Sequence, residues 1–377
     1  MAQQYASTFQ AACQPHQYAL ATRAGTEAIV HTLTTLSQTD PNHTILSVDG
    51  IGAFDNISRN NMLQELLQLP AANRCIPFVR MFYGQQSQFV WHDTHGHAHV
   101  ITQAEGGEQG DPLMPALFAL GQRPALREVQ RHLAPNEYLM AFLDDIYVAV
   151  PPHRLRPVYD LLATHLHHHA RIHLNQGKTR VWNAAGAEPA NITSLGPDVW
   201  VGNANLPATH KGLTVLGAPL GSPAFVQHQL QHTLHTHQHL LQRIPTLDDL
   251  QASWLLLLFC ASPRSTYLLR MCAPESTKDF AEAHDTAIGA CLQSLLQTRD
   301  IPATSLAIAH LPLTQGGLGL MSATILSAPA YWSSWADTLP VLQTHLPEFT
   351  HQILEQLIPP TPKHLRRSKP QPTLREP

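Results

Sequence analysis

Two adjacent carboxylates, Asp144 and Asp145, stand between two apolar runs, Tyr138–Ala141 and Ile146–Val150, with Phe142 and Leu143 leading into the pair. Apolar runs joined by acidic turn residues read as a β-hairpin. No lysine or arginine lies within ten residues before the pair or six after it. Like charges this close repel. A hard divalent cation such as Mg²⁺, held by one or two carboxylates and by substrate phosphates, would relieve that repulsion. A solvated acidic turn is the other reading, and the pair alone does not separate the two.

A third carboxylate widens the pattern. Thr44–Val48 reads as a buried strand and runs into Asp49-Gly50-Ile51-Gly52-Ala53-Phe54-Asp55. An amphipathic helix follows, with Ser58 as its cap and Met62, Leu63, Leu66 and Leu67 at helical spacing. Asp49 therefore ends a strand, where α/β sheets tend to place ligands. A plain loop acid fits that position equally well. Between the acidic pieces lies Glu105-Gly106-Gly107-Glu108-Gln109-Gly110-Asp111-Pro112. Here Asp111 suits an N-cap and Pro112 a first helical position. Glycines before a helix let a ligand approach the backbone N–H groups. No Lys-Ser or Lys-Thr follows, so this is not a Walker loop. Lys178, one of few lysines, could meet a polyphosphate or simply be a surface cation. If the two strands are neighbours, the carboxylates converge. Such a cluster can hold two Mg²⁺ ions ~3.5–4 Å apart that serve nucleotidyl transfer.

The elements that must position these groups follow from pattern. The chain has 377 residues and 44% hydrophobic content, enough for two or three packed units. Charged residues make up 13%, against about 25% in ordinary domains. The formal charge of −4 argues mildly against a nucleic-acid enzyme. Binding depends on a local basic stripe, however, and 25 histidines can add charge in mild acid. Cys13, Cys75, Cys260, Cys272 and Cys291 form no CxxC pair and suggest reduced thiols in an intracellular protein. No signal pattern opens the chain, and the longest apolar run, Trp254–Ala261, is too short for a membrane span.

A helix is expected from Gly25, capped by Gly25 or Thr26. Phe89–Trp91 and His99–Ile101 form a hairpin, and its His92, His95, His97 and His99 lack zinc spacing. A helix over about Arg154–Ala170 precedes a strand at Arg180–Trp182. Val215–Ser222 reads as a glycine-bracketed hairpin. Beyond it His228, His232, His235 and His239 share one face of a helix. Apolar helices fill Gln251–Gln297, with a break at Ala261–Arg264. Gly316–Leu320 is read as a turn. From residue 44 to 182 the element order suits an antiparallel sheet with helices on one face.

These pieces, in this order, resemble the reverse transcriptase domain of non-LTR (LINE-type) retrotransposons. The first motif of that family reads Asp, three residues, Ala-Phe-Asp, as at Asp49–Asp55. The second reads Gln-Gly-Asp-Pro-Leu, a further residue and Pro, as at Gln109–Pro115. The third, an aromatic, a small residue and Asp-Asp, corresponds to Phe142–Asp145. Leu174-Asn175 with Lys178-Thr179 gives the fourth, and Leu216-Gly217 with Gly221 the fifth. The motifs run from about residue 17 to 222. Two residues depart from the pattern: Met114 stands where the family usually has Ser, and Leu143 where it usually has Ala.

The resemblance implies an α+β right-hand polymerase fold with an antiparallel palm sheet, partial fingers and a helical thumb. It places partial fingers at 1–43, a palm with inserted fingers elements at 44–222 and a thumb at 223–300. A helical extension follows at 301–358, and a disordered, Pro-rich basic tail at 359–377. It implies RNA-directed DNA polymerisation: two Mg²⁺ ions, or Mn²⁺ in their place, promote attack of a primer 3′-OH on a dNTP along an RNA template. Asp49, Asp144 and Asp145 would hold the metal, with the Gly50 carbonyl assisting. Phe54 would lie under the sugar and exclude a 2′-OH. Gln109 and Gly110 would line the nucleotide pocket, and Lys178 would meet the triphosphate. Leu216, Gly217 and Gly221 would grip the primer. A nuclear or cytoplasmic setting goes with the family. The short stretch before Asp49 supports a rival reading, a truncated retroelement remnant that folds and binds RNA without polymerising. A template-free palm enzyme such as a nucleotidyl cyclase is a further rival. Phe54 and the Gln109–Asp111 turn favour the polymerase over that cyclase.

Overall fold

The structure, a computed structural model, describes residues 2–357. The basic tail expected at 359–377 lies outside the described residues. At the centre is a four-stranded antiparallel sheet. Its strands are β1 (Thr44–Val48), β4 (Tyr138–Phe142), β5 (Asp145–Val150) and β6 (Arg180–Trp182), in the order β4-β5-β1-β6. Two separate hairpins flank it, β2 (Ser87–His92) with β3 (Ala98–Gln103), and β7 (Gly212–Val215) with β8 (Ala218–Gly221).

The sheet is apolar on both faces because its strands alternate two apolar sets. Leu46, Val48, Ile146, Val148 and Val150 face one way. Against them pack Met62 and Leu66 of the Arg59–Leu67 helix, Leu117 and Leu120 of the Met114–Gln130 helix, and Leu155 and Leu162 of the Pro152–His165 helix. Ile45, Met140, Tyr147, Ala149 and Trp182 face the other way. These meet Ile29 and Leu33 of the Gly25–Thr39 helix, Leu342 of the Ala323–His345 helix, and Phe349 and Ile353 of the Pro347–Leu357 helix. The expected sheet with helices on one face thus needs correction. The second face is closed by helices drawn from both ends of the described chain.

That closure is specific as well as apolar. His31 shares a 2.7 Å hydrogen bond with Ser334 and stacks on Trp335 at 4.4 Å. His345 Nδ1 lies 2.6 Å from the Pro15 carbonyl. Arg270 pairs with both Glu27 and Asp337, joining three helices through one guanidinium. Residues 223–295 form a helical unit around Leu230, Leu269, Phe280 and Ile288.

Other local expectations meet the structure unevenly. Ser58 caps its helix, accepting from Asn61 N at 3.3 Å. The Gly25–Thr39 helix is preceded instead by Ala24 in a left-handed conformation, with no side-chain cap. Gly25 is needed for a close approach, since a Cβ there would sit 2.0 Å from the Tyr18 carbonyl oxygen. The break expected at Ala261–Arg264 is a π turn at Leu257–Ala261 followed by a 3₁₀ turn at Ser262–Ser265, where Pro263 can donate no N–H. Of the histidines on the Pro223–Arg243 helix, His232, His235 and His239 are exposed, whereas His237 is buried against His284.

The packing predicts that the C-terminal helices share the cooperative unit of the sheet. Leu342→Ala removes a fully buried side chain from the second face. It is expected to cost about 2–5 kcal/mol in urea unfolding while leaving a single transition. A separate, early transition confined to the C-terminal helices would contradict the shared core.

Candidate active site

The site starts from strand register. β1 and β5 pair from Thr44↔Val150 to Val48↔Ile146. One further step along this ladder sets Asp49 across from Asp145. The alternation that puts Ser47 and Tyr147 on one face puts Asp49 and Asp145 there too. Asp144 sits in the two-residue turn between β4 and β5, where Phe142 pairs with Asp145. Three carboxylates from two places in the sequence therefore gather at one end of the sheet.

Their electrostatics show the crowding. Burial, then the charges of Asp144 and Asp49, push the Asp145 carboxyl up to about 6. Asp144 is raised as well, by burial first and then by Asp49. The cation facing them is Lys178, whose Nζ lies 3.0 Å from Asp49 Oδ2 although the lysine is 67% exposed. The Leu174–Lys178 turn that carries it is pinned beside Asp49, with Asn175 N donating to the Asp49 carbonyl at 2.8 Å and Gly50 bridging Leu174. Gly50 has no room for a side chain, since a Cβ would come within 2.8 Å of Ile172 and Ala53.

A crowded all-oxygen donor set with raised carboxyl pKa values fits a hard divalent cation. Among the described residues, no three His, Cys, Asp or Glu side chains close into a ready-made cage.

The glycine-rich loop forms the wall of a second compartment. Gly106 N donates to the Ile57 carbonyl at 2.8 Å and Gly107 N to the Phe54 carbonyl at 2.9 Å, fastening the loop onto the turn after Asp49. Gly106 has φ 71°, and a Cβ there would collide with the Asp55 backbone. Phe54 stacks flat on Phe118 at 4.3 Å. With Gln109, Gly110 and Met114 it lines a pocket of about 430 Å³. Met114 fills the space above Gly107 that a Cβ would need. The regular helix begins at Met114, two residues later than expected, after a turn at Pro112 and Leu113. Asp111 Oδ1 accepts from Leu113 N at 2.9 Å, the bond a capping carboxylate makes, and its other oxygen accepts from the Tyr83 hydroxyl.

The β7–β8 hairpin turns at Leu216 and Gly217, with φ 48° and 86°. Leu216 N donates to the Tyr147 hydroxyl at 3.1 Å, and the Tyr267 hydroxyl donates to the Leu216 carbonyl. Gly221 is needed because a Cβ would strike the Lys211 carbonyl and the Gly212 Cα. The structure thus gathers Asp49, Asp144, Asp145 and Lys178 into one cluster, and Phe54, Gln109 and Gly110 into a pocket. It ties Leu216 to the strand bearing Asp145. Sequence reasoning missed Gln17, Gln122, Tyr83, Tyr147 and Tyr267, because each reaches the site through contacts distant in sequence.

Residues 2–220 match the family described as Reverse transcriptase (RNA-dependent DNA polymerase). This chain belongs to the reverse transcriptase family. The expected kinship with retroelement enzymes is borne out by the Retrotransposable element SLACS 132 kDa protein of Trypanosoma brucei gambiense. It is 25% identical over 276 residues, which cover 72% of this chain. The chain spans about a fifth of that relative, 22% of its length. A telomerase structure from Candida albicans, solved in complex with a fragment of telomeric RNA, overlays 94% of this chain and 57% of its own. Its TM-score is 0.50 at 11% identity, a likeness of fold alone. The fold is the right-hand polymerase fold, with the four-stranded sheet as its palm. Among the described residues, no helix is long and apolar enough to cross a membrane.

The raised carboxyl of Asp145 predicts a stability signature in the reverse transcriptase. A carboxyl whose native pKa exceeds its ordinary 3.8 binds protons more tightly when folded. Its contribution therefore falls as pH rises from about 4 to about 6. Without divalent cation, Asp145→Asn is expected to flatten the decline in Tm over that window. Mg²⁺ is expected to raise the native Tm more at pH 7 than at pH 5. Identical pH profiles for the two proteins would refute the repulsive cluster.

Proposed function

We propose that this chain is the polymerase core of a non-LTR retroelement, an RNA-directed DNA polymerase that extends a DNA primer with dNTPs. The observation that carries the reading is the β1–β5 register, which sets Asp49 across from Asp145 inside the family-matched segment. Asp49, Asp144 and Asp145 are assigned as metal ligands, with the Gly50 carbonyl beside them. Two Mg²⁺ ions held there would supply an activated 3′-hydroxyl and neutralise the charge on the leaving pyrophosphate.

The other residues position. Phe54, fixed against Phe118, would support the sugar and leave no room for a 2′-OH. Gln109 and Gly110 would contact the incoming base pair. Lys178, paired with Asp49, would turn to the triphosphate once metal satisfied that carboxylate. Leu216, Gly217 and Gly221 would hold the primer end, and the helices of 223–300 would form the thumb. The boundaries of fingers, palm and extension are assigned on the same basis. Positioning and charge neutralisation would do most of the work, as in other phosphoryl transfers. A nuclear or cytoplasmic site of action goes with this assignment.

One observation favours a second reading, a remnant that binds RNA without polymerising. Among the described residues, the Phe54 pocket is walled by Glu108 and Asp111 and by no lysine or arginine. Primer extension decides between them: oligo(dT) on poly(rA) with Mg²⁺, with Asp49→Ala as the control. Extension by the native chain and none by the control supports the polymerase. A folded native chain that binds the duplex but extends nothing supports the remnant. In an active preparation, Asp144→Asn is expected to remove extension while leaving the fold intact. Phe54→Ala is expected to raise ribonucleotide incorporation relative to dNTP use by at least tenfold. Unchanged sugar selectivity would remove Phe54 from its assigned role.

A further inference from the structure

Leu143 occupies the turn beside the paired carboxylates with φ 55°. A branched, non-glycine side chain pays backbone strain in that left-handed region and stays there only when its surroundings enforce it. The enforcing group is the side chain of Gln17. Gln17 Oε1 accepts from Leu143 N at 2.9 Å, and Gln17 Nε2 donates to the Leu143 carbonyl at 3.3 Å. One carboxamide thus satisfies both main-chain polar groups of the strained residue, as a neighbouring strand would.

The carboxamide is itself fixed. Gln17 Nε2 also donates to Gln122 Oε1 at 3.1 Å, and both glutamines are 1% exposed. Gln122 belongs to the Met114–Gln130 helix, whose first residue lines the Phe54 pocket. The main chain around Gln17 is laid along β4, with Ala141 N donating to the His16 carbonyl at 2.8 Å and Tyr18 N to the Ala141 carbonyl at 2.9 Å. Backbone bonds therefore set where Gln17 begins, and Gln122 sets where its amide ends. A fully buried polar pair of this kind is costly unless each partner is met.

We propose that Gln17 and Gln122 are positioning residues that clamp the Leu143 turn, and so hold Asp144 and Asp145 in their metal-binding arrangement. The proposal rests on the polymerase reading for its kinetic consequence but not for its metal-binding one. Leucine at this position makes the clamp necessary, because the turn geometry is enforced from outside rather than chosen by the residue. The segment before Asp49 then acts on the chemistry directly, through a side chain that touches the catalytic turn.

Gln17→Met tests it, keeping length and volume while removing every hydrogen bond. It is expected to weaken Mn²⁺ binding, read from the electron paramagnetic resonance of free Mn²⁺, by about tenfold. It is also expected to lower kcat for primer extension by at least tenfold, with KM for dNTP within about twofold. Adding Leu143→Gly should restore most of both losses, since glycine adopts this conformation without the clamp. A role in packing alone would lower Tm without that rescue. Additive losses in the double variant, or Mn²⁺ affinity equal to native, overturn the clamp. Should the native chain extend no primer while Gln17→Met still weakens Mn²⁺ binding, the polymerase reading fails and the clamp stands. If Gln17→Met does not fold, Gln122→Met, which removes only the outer bond, is expected to move both readouts in the same direction by about threefold. No movement in that folded variant overturns the clamp.

Discussion

Repulsion among Asp49, Asp144 and Asp145 is the constraint on which the rest of this structure depends. Burial and mutual charge raise two of the three carboxyls, so the folded chain holds them together against their own preference. The arrangement survives because it is locked by elements that gain far more than the cluster loses. β1 and β5 pair across five residues and are buried on both faces. A one-residue slip would turn every apolar side chain of these strands to the wrong face. Register is thus fixed by the core, and the core fixes the carboxylates. Lys178 relieves part of the strain, but an exposed ion pair with Asp49 is a weak and replaceable partner.

The same logic explains why the sheet is covered twice. A four-stranded sheet with one solvated face could bend or slip at its acidic end. Here the second face is closed by the Gly25–Thr39, Ala323–His345 and Pro347–Leu357 helices. Arg270, on the Thr266–Met271 helix, bonds to Glu27 and Asp337 on two of these helices. The unit from 223 to 295 is thereby held between the β7–β8 hairpin and a helix that returns to the N-terminal segment.

What could be read from the residues alone was local chemistry. Asp49, the Gln109–Asp111 turn, Phe142–Asp145 and Lys178 each announce themselves by type and by near neighbours. Strand and hairpin positions followed from apolar alternation. The helix start was read two residues early because the sequence does not show that Pro112 and Leu113 form a separate turn, although Asp111 does accept from Leu113 N there. The second face of the sheet was missed because Met140, Tyr147 and Ala149 look like ordinary strand residues until something 200 positions away packs on them. Gln17 gave no signal at all. A glutamine in a polar N-terminal stretch is unremarkable until Leu143, 126 residues away, is seen to need both ends of its amide.

Tyr147 shows how these levels join. It sits in β5 two residues after Asp145, pairs across the ladder with Ser47, and is buried. Its hydroxyl accepts from Leu216 N, while the Leu216 carbonyl accepts from Tyr267 on the Thr266–Met271 helix. A single hairpin residue thus bonds to the strand carrying the carboxylates on one side and to the following helical unit on the other. Leu216 is itself in the left-handed region, so its conformation is enforced by those two tyrosines much as that of Leu143 is enforced by Gln17. Two strained leucines, one at the acidic turn and one at the hairpin tip, are each held by polar side chains from other elements. Moving the acidic turn breaks bonds to the buried Gln17, and moving the hairpin tip breaks the bond to the buried Tyr147, neither of which water can readily replace. The distance between acidic cluster and hairpin is therefore set by β5 itself, the rigid element that both turns share.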